Sequence, residues 1–137
     1  MGWSQSVTTE DARICHFYIL DIRGRCKIMT VEVDILGSKY SIIKSNKLED
    51  AKLENFAGYC DSSVNQIVID TFKTDESSIA DLGKYEREVI RHEVIHAFLI
   101  ESGLNDSSWG RNEEIVDWFA LQFPKILKVF QDLNVLN

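Results

Sequence analysis

The sequence predicts an α+β fold in which a small antiparallel or mixed sheet packs on one long helix and a second helix closes the chain. Three observations lead there. The first half carries short runs of β-branched residues at strand spacing, and the second half switches to apolar residues recurring every three or four positions. The chain has 137 residues, 45% of them apolar and 27% charged, which suffices for one core but not for two domains of ordinary size. Residues 1–137 therefore read as a single domain.

The run from His16 to Ile22, stopped by Arg23-Gly24, is a candidate buried strand. Met29, Val31, Val33 and Ile35 then alternate with Thr30, Glu32 and Asp34, giving a strand one apolar and one polar face. Gly37-Ser38 suits a type II′ turn, which would send Lys39 to Ile43 back antiparallel. Lys44 to Phe56 is polar with a few apolar residues, either a short helix or a loop with one packed turn. Gly58 to Asp61 reads as punctuation before the strand Ile67-Val68-Ile69-Asp70. Thr74 or Asp75 is a plausible helix N-cap, with Gly83 dividing a short entry helix from the main one. From Lys84 to Ser102 the residues Val89, Ile90, Val94, Ala97 and Ile100 hold helical spacing, and Gly103 supplies the left-handed position that ends the helix. A last helix starts near Asn112 and meets Pro124, which is expected to kink it or end its first segment.

Composition narrows the function classes. No run approaches the 18 or so apolar residues of a membrane span, and the N-terminus lacks a basic patch followed by an apolar stretch, so the expected compartment is the cytoplasm with no membrane partner. A net charge of −7 disfavours binding to nucleic acid, which depends on Lys and Arg displacing counterions. Cys15, Cys26 and Cys60, odd in number and without metal-type spacing, are expected as reduced thiols.

The chemistry lies in the main helix, at His92-Glu93-Val94-Ile95-His96. Two histidines four residues apart share one helix face, offset by about 6 Å along the axis, so both rings can reach a single Zn²⁺ ion. Glu93 sits beside the first of them, where a carboxylate can act as general base on water activated by the metal. A catalytic zinc commonly takes a third protein ligand and leaves its fourth position for water. Downstream, Glu113 and Asp117 lie four apart on one face of the last helix. Glu113 can complete the metal site while Asp117 accepts a hydrogen bond from a ligand histidine; Glu114 points about 100° away.

Taken together, H-E-x-x-H and the later N-E-x-x-x-D, Asn112 to Asp117, resemble the thermolysin-type gluzincin signature. The resemblance implies a zincin-like fold, zinc ligands His92, His96 and Glu113, general base Glu93, and Asp117 as the partner of His92. Arg91 to Lys125 is also similar to small zincin-like proteins of phages and prophages, and Glu113 to Pro124, more distantly, to ImmA/IrrE-like peptidases. The implied activity is a zinc metallopeptidase acting on a peptide or protein. Its alternative is a noncatalytic, zinc-stabilised protein that binds a host factor. An extended peptide would add to a sheet edge near Ile67. Tyr59, Tyr85, Arg111 and His16 are the candidates for stabilising an oxyanion. Trp109 and Trp118 are expected to pack around the site, with Trp109 in a loop bordering the cleft.

Overall fold

The computed structural model describes residues 18–20, 26–28, 30–73 and 80–136. It holds a two-stranded antiparallel sheet, β1 (Tyr18–Leu20) with β2 (Cys26–Ile28), and a four-stranded mixed sheet. The larger sheet comprises β3 (Val31–Ile35), β4 (Ser38–Ser45), β5 (Gly58–Asp61) and β6 (Gln66–Asp70) in the order β3-β4-β6-β5. Two helices follow, α1 (Leu82–Glu101) and α2 (Glu113–Asp132), so the architecture is α+β. Only 18–20 of the strand expected over His16 to Ile22 is described. The proposed N-caps Thr74 and Asp75, and Cys15 and His16, lie outside the described residues. Among the described residues no helix is long and apolar enough to cross a membrane.

The alternation in β3 holds: Ile35 is buried while Glu32 and Asp34 face solvent. The turn, however, is shifted by one residue. Ile35 pairs with Ser38, leaving Leu36-Gly37 as the loop, with φ of +53° and +92°. Positive φ at both central positions is a type I′ turn, not the expected type II′. The two registers differ by two residues and keep the same side chains on the same faces, so apolar alternation cannot choose between them. In the observed turn Asp34 accepts a hydrogen bond from the Gly37 N–H at 2.9 Å.

Two further expectations are corrected. Gly58 to Asp61 is not punctuation but strand β5, whose identity comes from antiparallel pairing with β6. As a result β6 is not an edge: it lies between β4, to which it is parallel, and β5. Ile67, Val68, Ile69 and Asp70 are all buried, as suits a strand covered on both faces. The edge strand on this side of the sheet is β5, and β3 is the edge on the other. The polar stretch before it contributes one 3₁₀ turn, Ala51–Glu54, capped by Asp50 and pinned by buried Leu53.

The sheet buries Ile35, Tyr40, Ile42, Ile67 and Ile69 against Val89 and Ala97 of α1. Each large apolar side chain there contributes roughly 1.5–3 kcal/mol by leaving water. Polar contacts fix both ends of the helix. Near its start, buried Lys44 of β4 pairs with Glu86 at 2.7 Å. At its end, Tyr40 Oη and Ser38 Oγ donate to the two carboxylate oxygens of Glu101 at 2.7 and 2.6 Å. Asp81, accepting from the Lys84 N–H, is the N-cap, so Gly83 falls within the first turn of α1 instead of dividing two helices. The C-terminus closes as expected: Gly103 has φ of +72°, its N–H donates to Ile100, and the Leu104 N–H reaches back to Leu99.

Asn112 caps α2 by accepting from the Ile115 N–H. The helix then runs through Pro124 to Asp132, so the proline does not end it. Proline lacks the N–H that would bond the carbonyl four residues back, Ala120. Arg91 of α1 donates to that carbonyl instead, Nε to O at 2.5 Å.

Candidate metal centre

Helical spacing puts His92 and His96 on one face of α1, held there by the sheet on the neighbouring Val89–Glu93–Ala97 face. The short 102–112 connection returns α2 antiparallel to α1, and this brings Glu113 and Asp117 to the histidines. His92 Nε2 lies 3.0 Å from His96 Nε2; Glu113 Oε2 lies 3.2 Å from the first and 3.3 Å from the second. A tetrahedral zinc with ligand bonds of roughly 2.0–2.1 Å has ligand-to-ligand edges of about 3.3 Å. The donor triangle therefore matches one face of such a polyhedron. Among the described residues these three form the one cluster of His, Cys, Asp or Glu able to hold a metal. Glu114 stays outside it.

Asp117 sits behind the first histidine, its Oδ1 2.8 Å from His92 Nδ1. With the Nδ1 proton donated to that carboxylate, Nε2 presents a lone pair to the cluster. Burial holds His96 below the ordinary histidine pKa, and nearby Glu113 opposes that shift. The neutral ring is the form a metal requires. Both histidines are largely buried, with side chains 20% exposed, whereas Glu113 and Asp117 are 65% and 62% exposed.

Glu93 turns from the same helix into a cleft of about 260 Å³ walled by Asn55 to Gly58, Tyr85, Glu88, Val89, His92 and Asp117. It is buried, and loss of solvent lifts its pKa to about 7; His92 works against that shift and Glu113 adds to it. Gly58, at the start of β5, packs too tightly for any larger residue, since an added Cβ would lie 2.9 Å from the Val68 carbonyl oxygen. The same Cβ would lie 3.1 Å from Val89 Cγ1 of α1, so the missing side chain lets the start of β5 sit against that helix at the cleft.

The four oxyanion candidates separate clearly. Tyr85 lines the cleft with His92 and Glu93, its ring edge-on to Phe72 at 5.1 Å. Tyr59 donates its hydroxyl to Asp50 and is not in the cleft wall. Arg111 bonds the Asn105 carbonyl and Asp106 within its own loop. His16 is outside the described residues. Trp109 does not border this cleft: with Phe98, Ile95, Leu104, Phe119 and Phe123 it lines a separate apolar groove of about 600 Å³ between α1 and α2. Trp118 is exposed and packs edge-on against Phe119 at 5.3 Å. Trp109 is placed by the connection on the far groove, and Trp118, one residue after Asp117 in α2, points about 100° away from it around the helix. Cys60 is a free thiol, and burial pushes its pKa up to about 12, which disfavours the thiolate at neutral pH.

Sequence reasoning missed the Asn55–Gly58 wall, because the segment leading into β5 is placed only by the pairing of that strand with β6. It also missed Arg91, although Pro124 within a helical pattern signals a carbonyl at Ala120 in need of a donor. Compared with family models, curated proteins and solved structures, the chain matches none.

Proposed function

We propose that this protein is a zinc-dependent peptidase with a zincin-like fold. The observation that carries the reading is the convergence of His92 Nε2, His96 Nε2 and Glu113 Oε2 at 3.0–3.3 Å, with Asp117 bonded behind His92. Those three atoms would hold the ion. A bound zinc supplies Lewis acidity and lowers the pKa of water towards 7.

The chain's own groups account for the rest. Glu93, poised near neutrality, takes a proton from the attacking water as its oxygen bonds to the scissile carbonyl carbon. It delivers that proton to the departing nitrogen as the C–N bond breaks. Asp117 fixes the His92 ring. An extended substrate would add to the outer strand β5 through backbone hydrogen bonds, with Tyr85 in the wall of the cleft as the remaining candidate to stabilise the carbonyl oxygen.

A noncatalytic zinc site needs no base, so the buried Glu93 carboxyl in the cleft beside the triad favours the peptidase. The test is Glu93→Gln: the variant is expected to keep stoichiometric zinc and to lose cleavage of unstructured peptides. Cleavage at the parental rate would refute the assigned base.

A further inference from the structure

The position of α2 decides whether a metal site exists, because two of the four side chains at the cluster belong to it. Four polar contacts described above cross between the helices. Three are made by His92 or His96, to Asp117 and Glu113. The fourth, Arg91 Nε to the Ala120 carbonyl, involves no member of the cluster. Pro124 withholds the helical N–H that would otherwise bond that oxygen, which leaves the Arg91 guanidinium to satisfy it. Arg91 immediately precedes His92, and Ala120 lies one helical turn beyond Asp117. The two contacts are consecutive rungs of one antiparallel register, Arg91 on Ala120 and His92 on Asp117.

We propose that Arg91 is a positioning residue for the metal centre: with Pro124 it forms a latch that sets the axial register of α2 on α1, and so the height of Glu113 and Asp117 against the histidines. A slip of α2 by one turn, about four residues, would move each carboxylate by about 6 Å along the axis while keeping nearly the same face towards α1. Shape alone does not prevent this. Only Val116 and Ala120 of α2 are buried, and the groove beside them is lined by large apolar side chains, whose contacts carry no direction. A guanidinium bonded to one particular carbonyl is direction-specific where apolar contact is not.

The proposal rests on the metal-site reading, and its test keeps the two apart. Zinc affinity is measured by competition with a chromophoric chelator for the full chain and for Arg91→Met, Pro124→Ala, the double variant and His96→Ala, with Co²⁺ absorption reporting coordination. Pro124→Ala returns an N–H to the Ala120 carbonyl, so the double variant leaves no carbonyl unsatisfied while lacking the latch. Arg91→Met is expected to lose roughly tenfold in zinc affinity, within the range for groups that orient metal ligands. The double variant is expected to regain thermal stability but not affinity, with a weakened Co²⁺ spectrum. Recovery of parental affinity in the double variant would show that Arg91 merely satisfies a carbonyl, and would overturn the proposal. So would parental affinity in Arg91→Met. If His96→Ala and the parent bind zinc equally, the metal-site reading itself fails and takes the latch with it.

Discussion

The two helices that build the site are held in different ways. α1 is bonded to the sheet near both ends, through Lys44 on Glu86 and through Tyr40 and Ser38 on Glu101, and buries Val89, Glu93, Ala97 and Leu99. α2 buries Val116 and Ala120 and leaves Trp118, Phe119, Leu121, Phe123 and Phe130 exposed. His92, His96 and Glu93 thus ride on the anchored element, and Glu113 and Asp117 on the one with less of its surface covered. On the proposed reading, the helices place the ligands and a bound ion would fasten the looser helix to the firmer.

The difference between the two helices is open to measurement. His96→Ala removes a ligand from the firm side, and is expected to lower zinc affinity on the order of a thousandfold, about one ligand's share of the roughly 10–16 kcal/mol typical of structural zinc. A loss under tenfold, read by chelator competition, would mean that the ion is held elsewhere.

The next effect concerns the cost of burying Glu93 in α1 without a metal. Its folded pKa, about 7, lies above the 4.5 of an ordinary glutamate. Between those values the folded chain holds a proton that the unfolded chain has released, so stability falls as pH rises through this window. Relative to Glu93→Gln, the metal-free parent is expected to lose roughly 3 kcal/mol between pH 4.5 and 7. Urea melts of both proteins in chelator check it, and parallel pH profiles would remove the electrostatic penalty from the account.

Third, zinc at a hundredfold excess over its dissociation constant contributes about 2.7 kcal/mol to whatever opening separates the ligands, near a hundredfold in exchange rate. Amide exchange over 113–120 is expected to slow by about that factor, while the 89–97 amides, already covered by the sheet, change much less. Equal protection of both helices would erase the distinction between them. Smallest is Asp117→Asn, expected to weaken zinc by roughly ten- to a hundredfold through loss of the His92 orientation. Its metal-free unfolding midpoint should barely move, because Asp117 is exposed.

Legibility followed the range of the interactions. The alternation of Val31, Val33 and Ile35, the apolar spacing of α1 and its Gly103 terminus were readable because each depends on neighbours within a few residues. The same holds for His92 and His96, and for Glu113 and Asp117, which helical geometry pairs without reference to the rest of the chain. Strand β5, the interior place of β6 and the turn at Leu36-Gly37 were misread, since pairing partners and register are long-range choices that local pattern leaves degenerate. Trp109 was placed on the wrong groove for the same reason.

The sequence by itself determined two helices, each with a pair of chemically suited side chains on one face, because a periodicity of 3.6 residues converts spacing into direction. Whether those faces meet was decided by tertiary structure alone. The antiparallel return of α2, the pairing that brings the start of β5 to the cleft and the contact of Arg91 with a carbonyl 29 residues away are properties of packing between distant segments, where many registers satisfy the same apolar pattern and a few directional polar contacts select one.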